Sequence, residues 1–130
     1  VAELARLQGT DRAIEEASID AVAGAAAGLA RRTGRAVFVT LAERGIVGAP
    51  PDAAAEAVPA YPTRGPIDVV GAGDAVTSNL TAALAAGAAP GEALRTAMAA
   101  ASIVVHQLGT TGTADVAQIE TLLRTAASPR

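Results

Sequence analysis

Residues 68–74, with the sequence Asp-Val-Val-Gly-Ala-Gly-Asp, place two glycines and two carboxylates at the start of a long helical pattern. A glycine turn here leaves backbone N–H groups without partners at a helix N-terminus, where the helix dipole attracts anions such as phosphate. Beside that phosphate, the carboxylate of Asp74 can accept the proton of an attacking hydroxyl. The stretch therefore predicts a site for phosphoryl transfer.

The elements before this stretch alternate between helix and strand. Ser18 can N-cap a helix whose apolar residues are three and four positions apart and which ends at Gly34. Residues 36–41 form an apolar run of strand length, and residues 43–45 predict a turn into a second strand at residues 46–47. We therefore expect a buried strand followed by a hairpin.

Within residues 49–66, prolines limit extended structure to an edge strand at residues 57–61. The β-branched run at residues 67–70 then predicts a last strand. Since ligands of open α/β sheets bind at the carboxyl ends of the strands, we expect Thr40 and residues 68–73 to lie at one edge of the sheet.

Three helical patterns complete the chain. The first starts at Asp74, and the second covers residues 92–107. A loop over residues 108–112 follows, and Thr113 or Asp115 caps the last helix. This order of elements predicts an α/β fold with helices covering a sheet.

Composition excludes several classes of function. A net charge of −3, with ten arginines, no lysine and no basic cluster, argues against a nucleic-acid surface. The absence of lysine also excludes a P-loop, and the absence of cysteine with a single histidine makes a zinc site improbable. No apolar run approaches the ~20 residues of a membrane helix, so the sequence indicates a soluble, cytoplasmic chain with no membrane partner.

The 130 residues fit one domain, residues 1–130. Its 35 alanines, one Phe, one Tyr and no Trp predict a thin core and a face that needs a partner.

Three motifs in order carry a resemblance to a known family. They are Asp68-x-x-Gly71-Ala72-Gly73-Asp74, the earlier Thr40-Leu41-x-x-x-Gly45, and the later Leu108-Gly109-Thr110-Thr111-Gly112. Together they resemble the C-terminal half of a PfkB/ribokinase-family carbohydrate kinase, and residues 66–120 are most similar to the kinase domain of bifunctional ADP-heptose synthesis enzymes. The resemblance implies the C-terminal part of a ribokinase-like three-layer α/β/α fold, with the sugar-binding half absent from this chain.

The resemblance implies ATP, Mg²⁺ and a sugar or sugar phosphate as ligands, and a role for each matching residue. Asp74 matches the catalytic base, and Gly71, Ala72 and Gly73 match the anion hole. The nucleotide-binding positions are Thr40, Ala42, Gly45 and Met98. The positions that hold K⁺ in cation-activated members are Asp68 and Thr113 by side chain and Val70, Val104, Gln107 and Gly109 by backbone carbonyl. Glu3 falls where a residue helps to place magnesium through water.

The chain departs from the family pattern at four positions. Ala42 replaces a usual glycine, Val69 stands where Thr is common, Asn79 where Gly or Ala is usual, and Met98 where Asn or His contacts the nucleotide. A methyl group at Ala42 is tolerable only where φ is negative.

Simpler interpretations remain for these residues. Asp74 alone could be a helix N-cap, and Asp68 could cap the glycine turn. A dinucleotide fingerprint is disfavoured because Val76 occupies the third glycine's place. His106, near the end of an apolar helix, fits a packing or capping role better than that of a ligand.

Two classes of function follow. One is an ATP-dependent sugar kinase, of which this chain carries the base and the anion hole, and whose partner is the missing N-terminal half or a second copy. The other is a non-catalytic nucleotide-binding or interaction domain derived from such a kinase.

Overall fold

The computed structural model describes residue 4 and residues 17–127. The chain divides into two compact units, Val1–Pro59 and Ala60–Arg130. Within the described residues, none of the helices has the length and apolar character that crossing a membrane requires.

Within the described residues 17–59 of the first unit, helix α1 spans Ile19–Thr33, which confirms the predicted helix and both of its ends. The Ser18 hydroxyl accepts a hydrogen bond from Ala21 N at 3.2 Å, and Gly34 ends the helix with φ of 66°. Serine stabilises the start because it satisfies a free N–H, and glycine suits the end because it lacks the Cβ that makes positive φ costly.

Three antiparallel strands form the sheet of this unit, in the order β1, β2, β3. They are β1, Val37–Thr40, β2, Ile46–Ala49, and β3, Glu56–Val58. Thr40 pairs with Ile46, so the predicted hairpin is confirmed, and β3 pairs with β2 at the edge. Helix α1 packs on this sheet through Val22, Ala26 and Ala30, which are fully buried.

Three helices form the second unit: α2, Ala72–Ala85, α3, Pro90–Val104, and α4, Val116–Ala127. Helix α3 contacts both α2 and α4, and its alanines are buried on several faces. Small side chains permit this close approach, while Ile119 of α4 supplies a bulky residue to the cluster around Ala99 and Ala100.

The ends of two helices in this unit differ from the prediction, and the last helix uses one of its two predicted caps. Helix α2 starts two residues before Asp74, and α3 ends at Val104 rather than at Gln107. Asp115, not Thr113, caps α4: its Oδ1 accepts from Gln118 N at 2.8 Å, and Gln118 Oε1 accepts from Asp115 N at 2.9 Å.

The strand predicted at residues 67–70 is wrong. These residues form an exposed turn, because Asp68 N donates to Val105 O at 2.8 Å and Val70 N donates to the Asp68 carboxylate at 3.0 Å. Backbone donors that serve these bonds are not available to a strand ladder. Asp68 therefore does not lie at the end of a strand as expected. Its proximity to Thr40 stays a prediction.

Candidate functional site

Gly71 begins the glycine turn, residues 71–74, and stands at the N-cap of α2 with φ of 84°. The left-handed φ favours glycine at Gly71, and a Cβ built there would lie 3.2 Å from Thr111 Cγ2, so a larger residue would also crowd this methyl group. Among the described residues, the N–H groups of Gly73 and Asp74 have no hydrogen-bond acceptor. These donors at the positive end of the α2 dipole can receive an anion.

Asp74 is the third residue of α2 and is exposed. The N-cap is Gly71, and no side chain accepts a hydrogen bond from the first N–H groups of α2 as a cap would. The interpretation of Asp74 as the helix cap is therefore wrong. Within the described part of the chain, the Asp74 carboxylate accepts no hydrogen bond. It is therefore accessible for proton transfer beside the free N–H groups.

Asp68 links the glycine turn to the segment that follows α3. Its Oδ1 accepts from Val70 N at 3.0 Å, and its Oδ2 accepts from Gly109 N at 3.2 Å. The interpretation that Asp68 caps the turn is therefore confirmed. Each oxygen keeps a further lone pair, so this role leaves room for a cation.

The structure joins the predicted potassium positions in two hydrogen-bonded groups. Asp68 contacts Val70 and Gly109 as described, Gln107 N donates to Val104 O at 2.9 Å, and the Gln107 side chain bonds the Thr113 backbone. Sequence reasoning assigned only the backbone carbonyl of Gln107, and no spacing rule signals the side-chain contact. Their role as cation ligands stays a prediction.

Thr40, Ala42 and Gly45 lie in the β1–β2 connection of the first unit. Thr40 ends β1, and Ala42–Arg44 form a 3₁₀ turn in which Gly45 N donates to Ala42 O at 3.1 Å. Arg44 anchors this turn by donating to Ala17 O at 2.7 Å. Ala42 has φ of 52° and is the only described residue other than glycine with positive φ, which contradicts the expected negative value. The turn thus keeps a conformation suited to glycine although alanine occupies it.

Replacing Ala42 by glycine is expected to raise the free energy of unfolding by about 1 kcal/mol, because a left-handed φ strains alanine but not glycine. Chemical denaturation measures the change. The control is Ala53→Gly, at an exposed loop alanine without positive φ, and it should be neutral or destabilising. A loss of stability in Ala42→Gly would contradict the left-handed conformation.

Met98 and Glu3 are the two remaining predicted site residues. Met98 is 6% exposed within α3, so its side chain mainly packs, and its contact with a nucleotide stays a prediction. Glu3 lies outside the described residues.

His106 fits the predicted structural role. Its Nδ1 lies 2.7 Å from Ser102 O, and its Nε2 accepts from Arg64 N at 3.2 Å, which places the proton on Nδ1. The ring thereby ties the segment before the glycine turn to the end of α3.

Burial raises the pKa of Tyr61, and the charge of Arg95 partly opposes this rise, so the phenol stays neutral near pH 7.

The sequence pattern of the pfkB family of carbohydrate kinases matches residues 2–117. The chain therefore belongs to this family, and the resemblance seen in its motifs is confirmed.

Two bifunctional proteins named HldE are similar to this chain in sequence. The bifunctional protein HldE of Bradyrhizobium sp. (strain ORS 278) is 51% identical over 75 residues, which are 58% of this chain and 15% of that protein. HldE of Gluconacetobacter diazotrophicus is 37% identical over 121 residues, 90% of this chain and 23% of that protein. The chain thus spans less than a quarter of the length of these relatives.

Solved structures show the same fold. Arabidopsis thaliana ribokinase, solved with ribose and ATP, matches with a TM-score of 0.76 and 29% identity, over 95% of this chain and 38% of that chain. Phosphofructokinase-2 of Escherichia coli, solved with potassium, matches with a TM-score of 0.79 and 24% identity, over 98% of this chain and 39% of that chain. The predicted α/β, ribokinase-like fold is confirmed.

Proposed function

We propose that this chain supplies the anion site and the general base for ATP-dependent phosphoryl transfer to a sugar hydroxyl. The observation that carries the proposal is the glycine turn, where the free N–H groups of Gly73 and Asp74 and the exposed Asp74 carboxylate share one helical turn. Asp74 takes the proton of the hydroxyl, and the N–H groups stabilise the charge on the transferred phosphoryl group.

The proposed phosphate donor is ATP. The Arabidopsis ribokinase was solved with ATP, and the turn of the first unit keeps a glycine-like conformation at Ala42. The proposed acceptor is a heptose phosphate, supported by the similarity to the HldE proteins. Contacts to the sugar would come from the part of the fold that this chain does not span.

The residues present fit a monovalent cation. Asp68 is the one carboxylate of the predicted set, and the described residues contain no group of three His, Cys, Asp or Glu that could hold a metal. One carboxylate with carbonyl and hydroxyl oxygens suits K⁺ better than a transition metal. We propose Asp68, Val70, Val104, Gln107, Gly109 and Thr113 as its ligands. A cation there would offset negative charge beside the glycine turn.

Mg²⁺ would be held mainly through the nucleotide phosphates and water, and it would supply positive charge that stabilises the transferred phosphoryl group. Glu3, the residue assigned to it, lies outside the described residues, and no other described side chain is proposed to hold it.

The chain by itself is expected to bind ATP weakly without catalysing transfer, because substrate positioning supplies much of the rate. Millimolar ATP should raise the melting temperature by about 2 to 5 °C. Adenosine is the control, since it lacks the phosphates that the glycine turn would bind. An unchanged melting temperature in a folded sample would count against a preformed site, and sugar-dependent ADP release by the pure chain would contradict the expected lack of turnover.

The alternative is a non-catalytic nucleotide-binding or interaction domain. Two observations favour it: Met98 is buried, and alanine stands at residue 42 in place of glycine. Both are positions assigned to nucleotide contacts. A non-catalytic nucleotide-binding domain would also bind ATP, so activity of the full-length enzyme, meaning this chain joined to the rest of the pfkB fold, separates it from the kinase.

A further inference from the structure

The segment that follows α3, residues 107–113, is closed at its base by the side chain of Gln107. Gln107 Nε2 donates to Thr113 O at 2.6 Å, and Gln107 Oε1 accepts from Thr113 N at 3.0 Å. We call this segment the Gln107 loop. Both ends of the amide are engaged, so its orientation is fixed by complementary donors and acceptors.

Gly112 shows how closely the loop packs at this base. A Cβ built there would lie 2.9 Å from Gln107 Oε1 and 3.0 Å from the carbonyl oxygen of Val104. No larger residue fits without displacing the backbone of α3 or the amide of Gln107. The close packing and the two hydrogen bonds therefore support one another.

The middle of the Gln107 loop lies against the glycine turn. Gly109 N donates to Asp68 Oδ2 at 3.2 Å, and Thr111 Cγ2 would be 3.2 Å from a Cβ on Gly71. Closing the loop at Thr113 thus limits where Gly109 and Thr111 can be, and these residues in turn limit the position of Gly71.

We propose that Gln107 is a positioning residue, whose side-chain amide holds the glycine turn in its anion-binding conformation through the Gln107 loop. This rests on the proposed function of the turn. The amide acts at a distance, through Gly109 and Thr111, and does not itself touch the anion. Only a side chain that both donates and accepts can bond the two backbone groups of Thr113.

The test compares Gln107→Met with Gln118→Met. Methionine keeps the length of glutamine but makes neither bond. Gln118 is a matched control because its side chain also bonds backbone, at Asp115 N, but at the start of α4. Amide resonances and hydrogen exchange are measured by NMR for the whole chain, and ATP affinity is measured by titration.

In Gln107→Met we expect exchange at Gly109 and Thr113 to accelerate on the order of tenfold, and the resonances of Gly73 and Asp74 to move. ATP affinity should fall on the order of tenfold. Gln118→Met should change only amides near residues 115–119 and leave ATP affinity within about twofold. Equal effects of the two variants on Gly73 and Asp74 would overturn the proposal.

Two other outcomes, a lack of ATP binding and the unfolding of Gln107→Met, still leave the role of Gln107 testable. If the unmodified chain does not bind ATP, the proposed nucleotide site fails, but the Gly73 and Asp74 resonances still decide the role of Gln107. If Gln107→Met unfolds, Gln107→Glu keeps the acceptor toward Thr113 N and lacks the donor toward Thr113 O above the carboxyl pKa. At one fixed pH near 7, exchange at Gly109 should then be faster in Gln107→Glu than in the unmodified chain; unchanged exchange would overturn the proposal.

Discussion

Replacing Asp74 by asparagine in the full-length enzyme is expected to lower kcat by a factor on the order of 10² to 10⁴. Asparagine keeps the size of the side chain but cannot accept the proton of the sugar hydroxyl. The free energy of unfolding should change by less than about 1 kcal/mol, because among the described residues Asp74 is not the cap of α2 and its carboxylate has no partner besides the helix dipole. Steady-state kinetics and chemical denaturation measure the two effects.

Asp20→Asn is the matched control, since Asp20 also lies exposed in the first turn of a helix. It should show a similarly small change in stability with kcat unaltered. Near-normal turnover of Asp74→Asn would refute the proposed mechanism and leave the non-catalytic alternative. A large loss of stability would show that the carboxylate has a structural role absent from the observed contacts.

Replacing Gly73 by alanine is expected to lower kcat/KM of the full-length enzyme by a factor on the order of 10². Among the described residues, a Cβ there meets no atom within 4 Å beyond its own helix and chain neighbours, and φ is not positive, so the methyl group enters the open space proposed for phosphate. Folding should be unaffected or favoured by up to about 1 kcal/mol, because alanine is the better helix former. Kinetics with varied ATP, together with denaturation, separate the two effects.

Gly24→Ala supplies the control for this substitution. Gly24 is an exposed glycine within α1 whose added Cβ also meets nothing within 4 Å. It should stabilise the chain to a similar degree and leave kcat/KM unchanged. Gly71→Ala should instead lose stability, because φ is 84° and Thr111 is close. A normal kcat/KM for ATP in Gly73→Ala would contradict the proposal that phosphate binds at this turn.

The sequence alone determined the elements whose signals are local. The Ser18 cap, the Gly34 end and the apolar spacing between them specify α1, because each acts within one or two helical turns. The hairpin at residues 43–45 and the family motif around Asp74 are local in the same sense. Family membership followed from the order of three such motifs, and the matching family pattern confirms it.

Only the tertiary structure decided what depends on contacts between distant residues. The β-branched run at residues 67–70 has strand propensity, but the Asp68 N to Val105 O bond and the turn around Val70 outweigh it. Ala42 adopts positive φ because the surrounding hairpin sets its backbone, against its own preference. The Gln107 to Thr113 bonds and the contact of Thr111 with Gly71 form because the chain folds back after α3, and no periodicity in the sequence encodes that return.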